Sequence, residues 1–210
     1  LLPLAAGFTL AGFLSGRAPA LPLVALALAG MAFLHLGANL LNDWADHRSG
    51  TDARNTERNF PFTGGSRVIQ ERLLAPRAIL RAAVFCFFLA VAAGILLVRE
   101  RGAGVLLFGA LGLGAGVGYS LLFVRLYIGE LLAGASFGLF AVAGAVWLHT
   151  GTLPAAVLPC GILLSLPVTL LLWVNQFPDY RADLAAGKKN LVVRLGRRRA
   201  ALVVPFLLVS

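Results

Sequence analysis

The sequence predicts an all-α bundle of helices that crosses a lipid bilayer several times, and three features carry that reading. Hydrophobic residues make up 59% of the 210-residue chain and charged residues 13%, against about 45–50% and about 25% in soluble domains. The apolar residues fall in uncharged blocks of spanning length, for which about 20 residues suffice. The 18 Lys and Arg against 9 Asp and Glu, a net charge of +9, sit between those blocks rather than on one soluble stretch. The basic balance therefore reads as membrane topology and argues against a nucleic-acid partner. Cys86 and Cys160 lie inside apolar runs with no partner spacing, so they imply neither a disulfide framework nor a metal site.

In chain order, residues 1–16 are apolar, and residues 18–41, 82–98 and 102–124 contain no Asp, Glu, Lys or Arg. Each of the latter three runs is long enough for one span. The uncharged run 131–178 has 48 residues, too many for one helix, and the turn-forming His149-Thr-Gly-Thr-Leu-Pro154 divides it into two. Residues 200–210 are again apolar, which brings the expectation to about seven spans. The chain opens on Leu1 and stops within a Val203-to-Leu208 apolar run, so it reads as one transmembrane domain over 1–210, truncated at its C-terminal end and open to truncation at its N-terminus. A cleaved signal peptide at the start is disfavoured, because Leu1-Leu2-Pro3-Leu4 has no basic region. The glycines of 102–124, spaced small-xxx-small at 112/116 and 114/118, predict close helix packing.

Five complete spans put the loops 42–81, 125–130 and 175–199 on one side. That side carries fifteen of the eighteen Lys and Arg, and the positive-inside rule makes it cytoplasmic. A bacterial inner membrane, with this face in the cytoplasm, is the expected location.

Two acidic clusters lie there. The first is Asn42-Asp43-Trp44-Ala45-Asp46, followed by Asp52. At 100° per residue Asn39, Asn42, Asp43 and Asp46 share a face with His35, if the helix continues that far. Gly50 is placed to end the helix, so Asp52 would return from the loop. The second cluster is Asn175, Asp179 and Asp183 at i, i+4 and i+8, an 80° arc with Pro178 inside it. Like charges on one face repel, so such stripes persist where something positive sits between them. Magnesium fits, because it takes carboxylate oxygens together with phosphate oxygens and water. The flanking Arg54, Arg58, Arg67, Lys188, Lys189 and Arg194 add phosphate donors, and the ligand so implied is a diphosphate. The competing reading is a set of solvated helix ends paired with loop arginines. His35 reads equally as a cavity residue or a helix-to-helix hydrogen-bonding group, and Trp44, Trp147 and Trp173 read as an interfacial belt.

These residues resemble the UbiA superfamily of intramembrane aromatic prenyltransferases, whose Asp-rich motifs read NDxxDxxxD and DxxxD. The second matches as Asp179-x-x-x-Asp183. The first departs where Gly50 replaces the last Asp, with Asp52 two residues on, as in the 1,4-dihydroxy-2-naphthoate prenyltransferase branch. Phe62-to-Gln70, Gly129-Glu130 and Ala186-to-Gly196 are similar to the same branch. The resemblance implies about nine helices around a central cavity and transfer of a polyprenyl chain from polyprenyl diphosphate to an aromatic acid in menaquinone biosynthesis. It implies Mg2+ held by Asp43, Asp46, Asp52, Asp179 and Asp183, with Asp43, Asp46, Asp179 and Asp183 as the catalytic set. Substrate-binding residues would be Asn39, Asn42, Asp52, Arg58, Arg67, Tyr119, Arg125, Asn175, Lys188 and Lys189. Phe62, Tyr119 and Tyr127 are candidates to face the allylic cation, although Tyr119 and Arg125 read equally as an interfacial pair. The alternatives are a 4-hydroxybenzoate prenyltransferase, a CDP-alcohol phosphatidyltransferase, whose continuous DxxDGxxAR signature is missing after Asp46, and a transporter, which would place ionisable residues near the bilayer midplane.

Overall fold

The computed structural model describes residues 1–59, 63–123 and 126–209. The regular elements among them are helical: α1 Leu2–Ser15, α2 Leu21–Ser49, α3 Thr51–Arg54, α4 Pro76–Arg101, α5 Val105–Leu121, α6 Gly129–Ala135, a π turn Ser136–Phe140, α7 Ala141–Thr150, α8 Val157–Ala185, α9 Leu191–Leu195 and α10 Arg197–Val209. The α6, π-turn and α7 segments run on as one 22-residue rod, Gly129–Thr150. Helices α2, α4, this rod and α8 are each long and apolar enough to cross a membrane. The predicted break at residues 149–154 is present, with Gly151 left-handed at φ 70° between α7 and α8. The expected span at 102–124 is shorter than its uncharged run: α5 has 17 residues, about 26 Å at 1.5 Å per residue.

The surface is the reverse of a soluble protein's. Phe13, Phe88, Leu107, Leu163 and Leu171 are all more than half exposed, an arrangement that acyl chains tolerate and water does not. With apolar groups outside as well as inside, the helices are held by close approach rather than by hydrophobic contrast. A Cβ on Gly7 of α1 would lie 2.8 Å from the Ala145 Cβ and 2.9 Å from the Val142 Cα of α7. Gly138, inside the π turn, faces the Ser165 backbone of α8 so closely that a Cβ there would lie 2.5 Å from the Ser165 Cα. The same turn presents the Leu139 N–H to Ser165 Oγ at 3.1 Å, while that hydroxyl donates to Gly161 O at 2.8 Å. One serine thus serves two helices at their contact. In α5 only half of the expected glycine stripe packs on a neighbouring helix among the described residues. Gly112 and Gly116 face Leu34 and Ala38 of α2, whereas a Cβ on Gly114 would meet nothing within 4 Å and one on Gly118 meets Phe123.

At one end of the bundle His149 Nε2 lies 2.9 Å from Ser15 Oγ and 3.1 Å from Arg17 O. This puts it opposite the acidic clusters, as its position in the sequence suggests. Trp173 departs from the belt expectation. It is 4% exposed, packs with Val192 and Ala200, and donates from Nε1 to Ala200 O at 3.0 Å, because α9 and α10 fold back over α8.

Candidate active site

Helices α2 and α8 have 29 residues each, about 44 Å at 1.5 Å per residue, well beyond a hydrocarbon core of about 30 Å. Their projecting turns are the two Asp clusters. Gly50, left-handed at φ 74°, caps α2 with its N–H on Asp46 O and His47 O. The chain then turns into α3, which buries Asp52 at 4% exposure. Both clusters and the loops after α2, α5 and α8 line one cavity of about 420 Å3. The predicted helical face is present: Asn39, Asn42, Asp43 and Asp46 all reach that cavity.

Lys188 joins the clusters. Its Nζ lies 2.8 and 2.9 Å from the two carboxylate oxygens of Asp46 and 3.4 Å from Asp183 Oδ1. Asp183 Oδ2 accepts from Asn190 Nδ2 at 2.7 Å, and Asn190 Oδ1 in turn caps α9 by accepting from Val193 N at 2.7 Å. Asp179 Oδ1 accepts from Asn55 Nδ2 at 2.6 Å, which ties α8 to the end of α3. Asp52 Oδ2 accepts from Gln70 Nε2 at 2.8 Å and its carbonyl from Arg67 Nη1 at 2.7 Å. Asp43 Oδ1 accepts from Ser66 N at 3.4 Å. The loop reaches these carboxylates because Gly65 is left-handed at φ 69° and has no side chain: a Cβ would lie 3.0 Å from Asp43 Oδ1 and 3.5 Å from Asp52 Oδ1. Arg67, also left-handed at φ 63°, holds a conformation that a non-glycine residue adopts only under constraint.

Burial, reinforced by the Asp46 and Asp43 charges, raises the Asp52 carboxyl to about 7 despite the Gln70 bond and Lys188. Burial would by itself lower the Lys188 ammonium, but the Asp46 and Asp183 carboxylates outweigh it and hold the group above its ordinary range. Asp43, Asp46, Asp52, Asp179 and Asp183 line the cavity with Lys188 and Lys189, so five Asp carboxylates share it with two ammonium groups. That surplus suits divalent cations. Among the described residues no three His, Cys, Asp or Glu side chains converge on one point. Magnesium does not require it, since it is bound by one or two carboxylates with water and substrate phosphate oxygens. The donor set fits that ion.

A family model described as the UbiA prenyltransferase family matches residues 1–210. The chain belongs to the UbiA prenyltransferase family. It is 31% identical over 193 residues to the 1,4-dihydroxy-2-naphthoate octaprenyltransferase of Escherichia coli (strain K12), covering 85% of this chain and 59% of that protein. It is 28% identical over 186 residues to the Mycobacterium tuberculosis (strain ATCC 25618 / H37Rv) protein of the same name, covering 87% and 61%. To the 2-carboxy-1,4-naphthoquinone phytyltransferase of Synechocystis sp. (strain ATCC 27184 / PCC 6803 / Kazusa) it is 25% identical over 177 residues, covering 82% and 54%. The chain thus spans between 54% and 61% of the length of these three curated relatives.

Of the residues that the resemblance to this family picks out, the five Asp, Asn39, Asn42, Tyr119, Asn175, Lys188 and Lys189 line the cavity. Arg67 stands behind it on the Asp52 carbonyl. Arg58 packs its alkyl chain against Gly64, where a Cβ would lie 2.9 Å from the Arg58 Cβ. Tyr127 lies under the Arg194 guanidinium, 5.0 Å from ring centre to Cζ, with its N–H on Lys189 O at 2.9 Å. It braces the loop instead of facing the cavity. Arg125 and Phe62 lie outside the described residues. His35 is bonded to Asn39 at 3.3 Å and set edge-on to Phe137 at 4.9 Å. Cavity residues that sequence reasoning passed over as site residues include Asn55, Phe123, Glu130, Leu172, Gln176 and Asn190. Gln176 and Asn190 lay inside segments already singled out. Asn55 and Phe123 carried no local signal.

Proposed function

We propose that this chain is the larger part of a magnesium-dependent enzyme that transfers a polyprenyl group from its diphosphate to a dihydroxynaphthoate-type aromatic acid, a step in menaquinone biosynthesis. The observation that carries the reading is one cavity in which five Asp from two helix ends, two lysines and an apolar wall of Tyr119, Phe123 and Leu172 meet. A diphosphate leaves as an anion, so the transition state needs positive charge where its bridging oxygen develops negative charge. Ions held by Asp43, Asp46, Asp52, Asp179 and Asp183 supply that charge when bound. Lys188 and Lys189 add fixed donors, and Asn55, Gln70 and Asn190 orient the carboxylates. The apolar wall keeps water from the allylic cation until the ring attacks.

The names of the relatives share a naphthalene ring bearing a carboxyl group and differ in the prenyl group, octaprenyl or phytyl. They support the acceptor class and leave chain length open. A cavity shared by two separate Asp clusters also fits poorly with a phosphatidyltransferase built on one continuous motif, and carboxylates at helix ends fit poorly with a transporter site at mid-depth. By the charge distribution, the cavity faces the cytoplasm of a bacterial inner membrane.

The test uses full-length protein with one prenyl diphosphate, dihydroxynaphthoate and 4-hydroxybenzoate together. Magnesium-dependent product with a higher kcat/KM for the naphthoate is expected, and Asp46→Asn and Asp179→Asn are each expected to abolish it in folded protein. Preference for the benzoate overturns the acceptor assignment. Near-normal turnover of either Asn variant overturns the metal assignment.

A further inference from the structure

Glu130 is a carboxylate that the Asp and Lys network leaves aside. It is the second residue of α6 and has no exposed surface. Its Oε1 accepts the backbone N–H of Leu191 at 2.7 Å, tying α6 to the first turn of α9. Its Oε2 is buried and has no hydrogen-bond partner among the described residues. Tying two helices together needs one acceptor oxygen, which a neutral glutamine supplies as well. A second carboxyl oxygen held out of water with no donor among the described residues is costly and calls for a ligand.

The surroundings say what kind. Glu130 is in the cavity wall, and its neighbour Gly129 packs on the Tyr119 ring, with a Cβ position 3.2 Å from Cε2. The Glu130 carbonyl accepts from Thr169 Oγ1 at 3.5 Å, one turn before the cavity residue Leu172. Tyr119, Gly129 and Leu172 give the cavity apolar surface beside Glu130. A diphosphate offers only acceptor oxygens and cannot satisfy Oε2. A ring hydroxyl can. Gln176, which also lines this cavity, likewise has a buried Oε1 with no partner among the described residues, so two lining residues each hold an acceptor that a ring hydroxyl could satisfy.

We propose that Glu130 Oε2 binds a ring hydroxyl of the aromatic acceptor and takes its proton during prenyl transfer, an inference that rests on the reaction proposed above. As the hydroxyl proton moves to Oε2, a π pair of the ring forms the new bond to the first carbon of the prenyl group. The carbon–oxygen pair of the donor leaves with diphosphate. The ring is then a neutral dienone. Loss of the proton on the attacked carbon to diphosphate, and return of the Glu130 proton to the ring oxygen, restore the aromatic system and regenerate the carboxylate.

The test compares full-length wild type with Glu130→Gln, which keeps an oxygen for Leu191. Expected is a fall in kcat/KM for dihydroxynaphthoate of about 100-fold or more, the size of a positioned acid–base contribution, with donor KM, acceptor-independent diphosphate release and melting midpoint unchanged. Dihydroxynaphthoate methylated at each ring oxygen in turn probes the wild type by itself. One methyl ether should fall to the level of the variant, and the variant should lose nothing further with it. Variant transfer within threefold of wild type overturns the role of Glu130, as does a parallel loss of stability and diphosphate release, or wild-type tolerance of both ethers. If the wild type transfers to no aromatic acceptor, the underlying reaction has failed, and the role of Glu130 falls with it.

Discussion

Replacing Lys188 with Met removes an ammonium that touches both Asp clusters while keeping most of the length of the side chain. The side chains of Lys188, Asp46 and Asp183 are 17%, 16% and 5% exposed, so the two carboxylates lose their cation where water only partly replaces it. Breaking a buried pair in this way costs about 3–5 kcal/mol, and the open cavity points to the lower figure. For a chain of this size, about 3 kcal/mol lowers the melting midpoint by roughly 6–12 °C. That loss should appear in EDTA and shrink in millimolar magnesium, because a divalent ion can supply the missing charge to Asp46 and Asp183. Wild type, whose ammonium competes with the ion, should gain less from magnesium than the variant does. The assay is thermal unfolding of full-length protein in detergent, with and without magnesium. An equal loss in both buffers, or none, would refute the idea that Lys188 acts as the tethered counterion of the site.

Gly138→Ala should destabilise by about 1–3 kcal/mol, the cost of overpacking, because its Cβ would lie 2.5 Å from the Ser165 Cα; chemical denaturation in mixed micelles measures it, and unchanged stability would contradict the helix contact. Glu57, which accepts from Arg197 at 2.6 Å and pairs with Arg181 at 2.8 Å, has its carboxyl held below the usual range by those partners, the Arg197 hydrogen bond first. The stabilisation is therefore full above the unfolded carboxyl range and lost as pH falls through the lowered value, so Glu57→Gln should lower the melting midpoint at neutral pH and make no difference in acid. Cysteines placed at the exposed Ala53 and Ala185, in a background lacking Cys86 and Cys160, should resist membrane-impermeant thiol reagents in intact cells, whereas one at Gly151 should react. Labelling at the first two positions would reverse the orientation.

The fold was legible where composition alone decides the outcome. All but the first three residues of the uncharged run at 18–41 lie within α2, and the turn chemistry at 149–154 separates α7 from α8, because a bilayer accepts helices and few other backbone forms. Less was legible where helices choose neighbours. Glycine spacing at 112/116 and 114/118 looks the same in sequence, yet only the first pair meets α2. Trp173 shows the same limit: its position near a span end says belt, and only the return of α10 over α8 buries it.

In the site, what a single helix decides was readable. The 100° periodicity put Asn39, Asn42, Asp43 and Asp46 on one face, and Gly50 marked the end of α2. What three loops decide together was not. Nothing local couples Asp46 to Lys188, 142 positions away, or aims Glu130 at Leu191. The rule that a stripe of like charges persists only with something positive inside it holds in a form the sequence did not disclose. Between Asp46 and Asp183 the positive group is the chain's own ammonium. Asp43, Asp52 and Asp179 each accept from a neutral N–H donor instead. A neutral donor orients a carboxylate without cancelling its charge, although at Asp52 burial opposes that charge, so Asp43 and Asp179 are the positions from which an incoming cation would gain most.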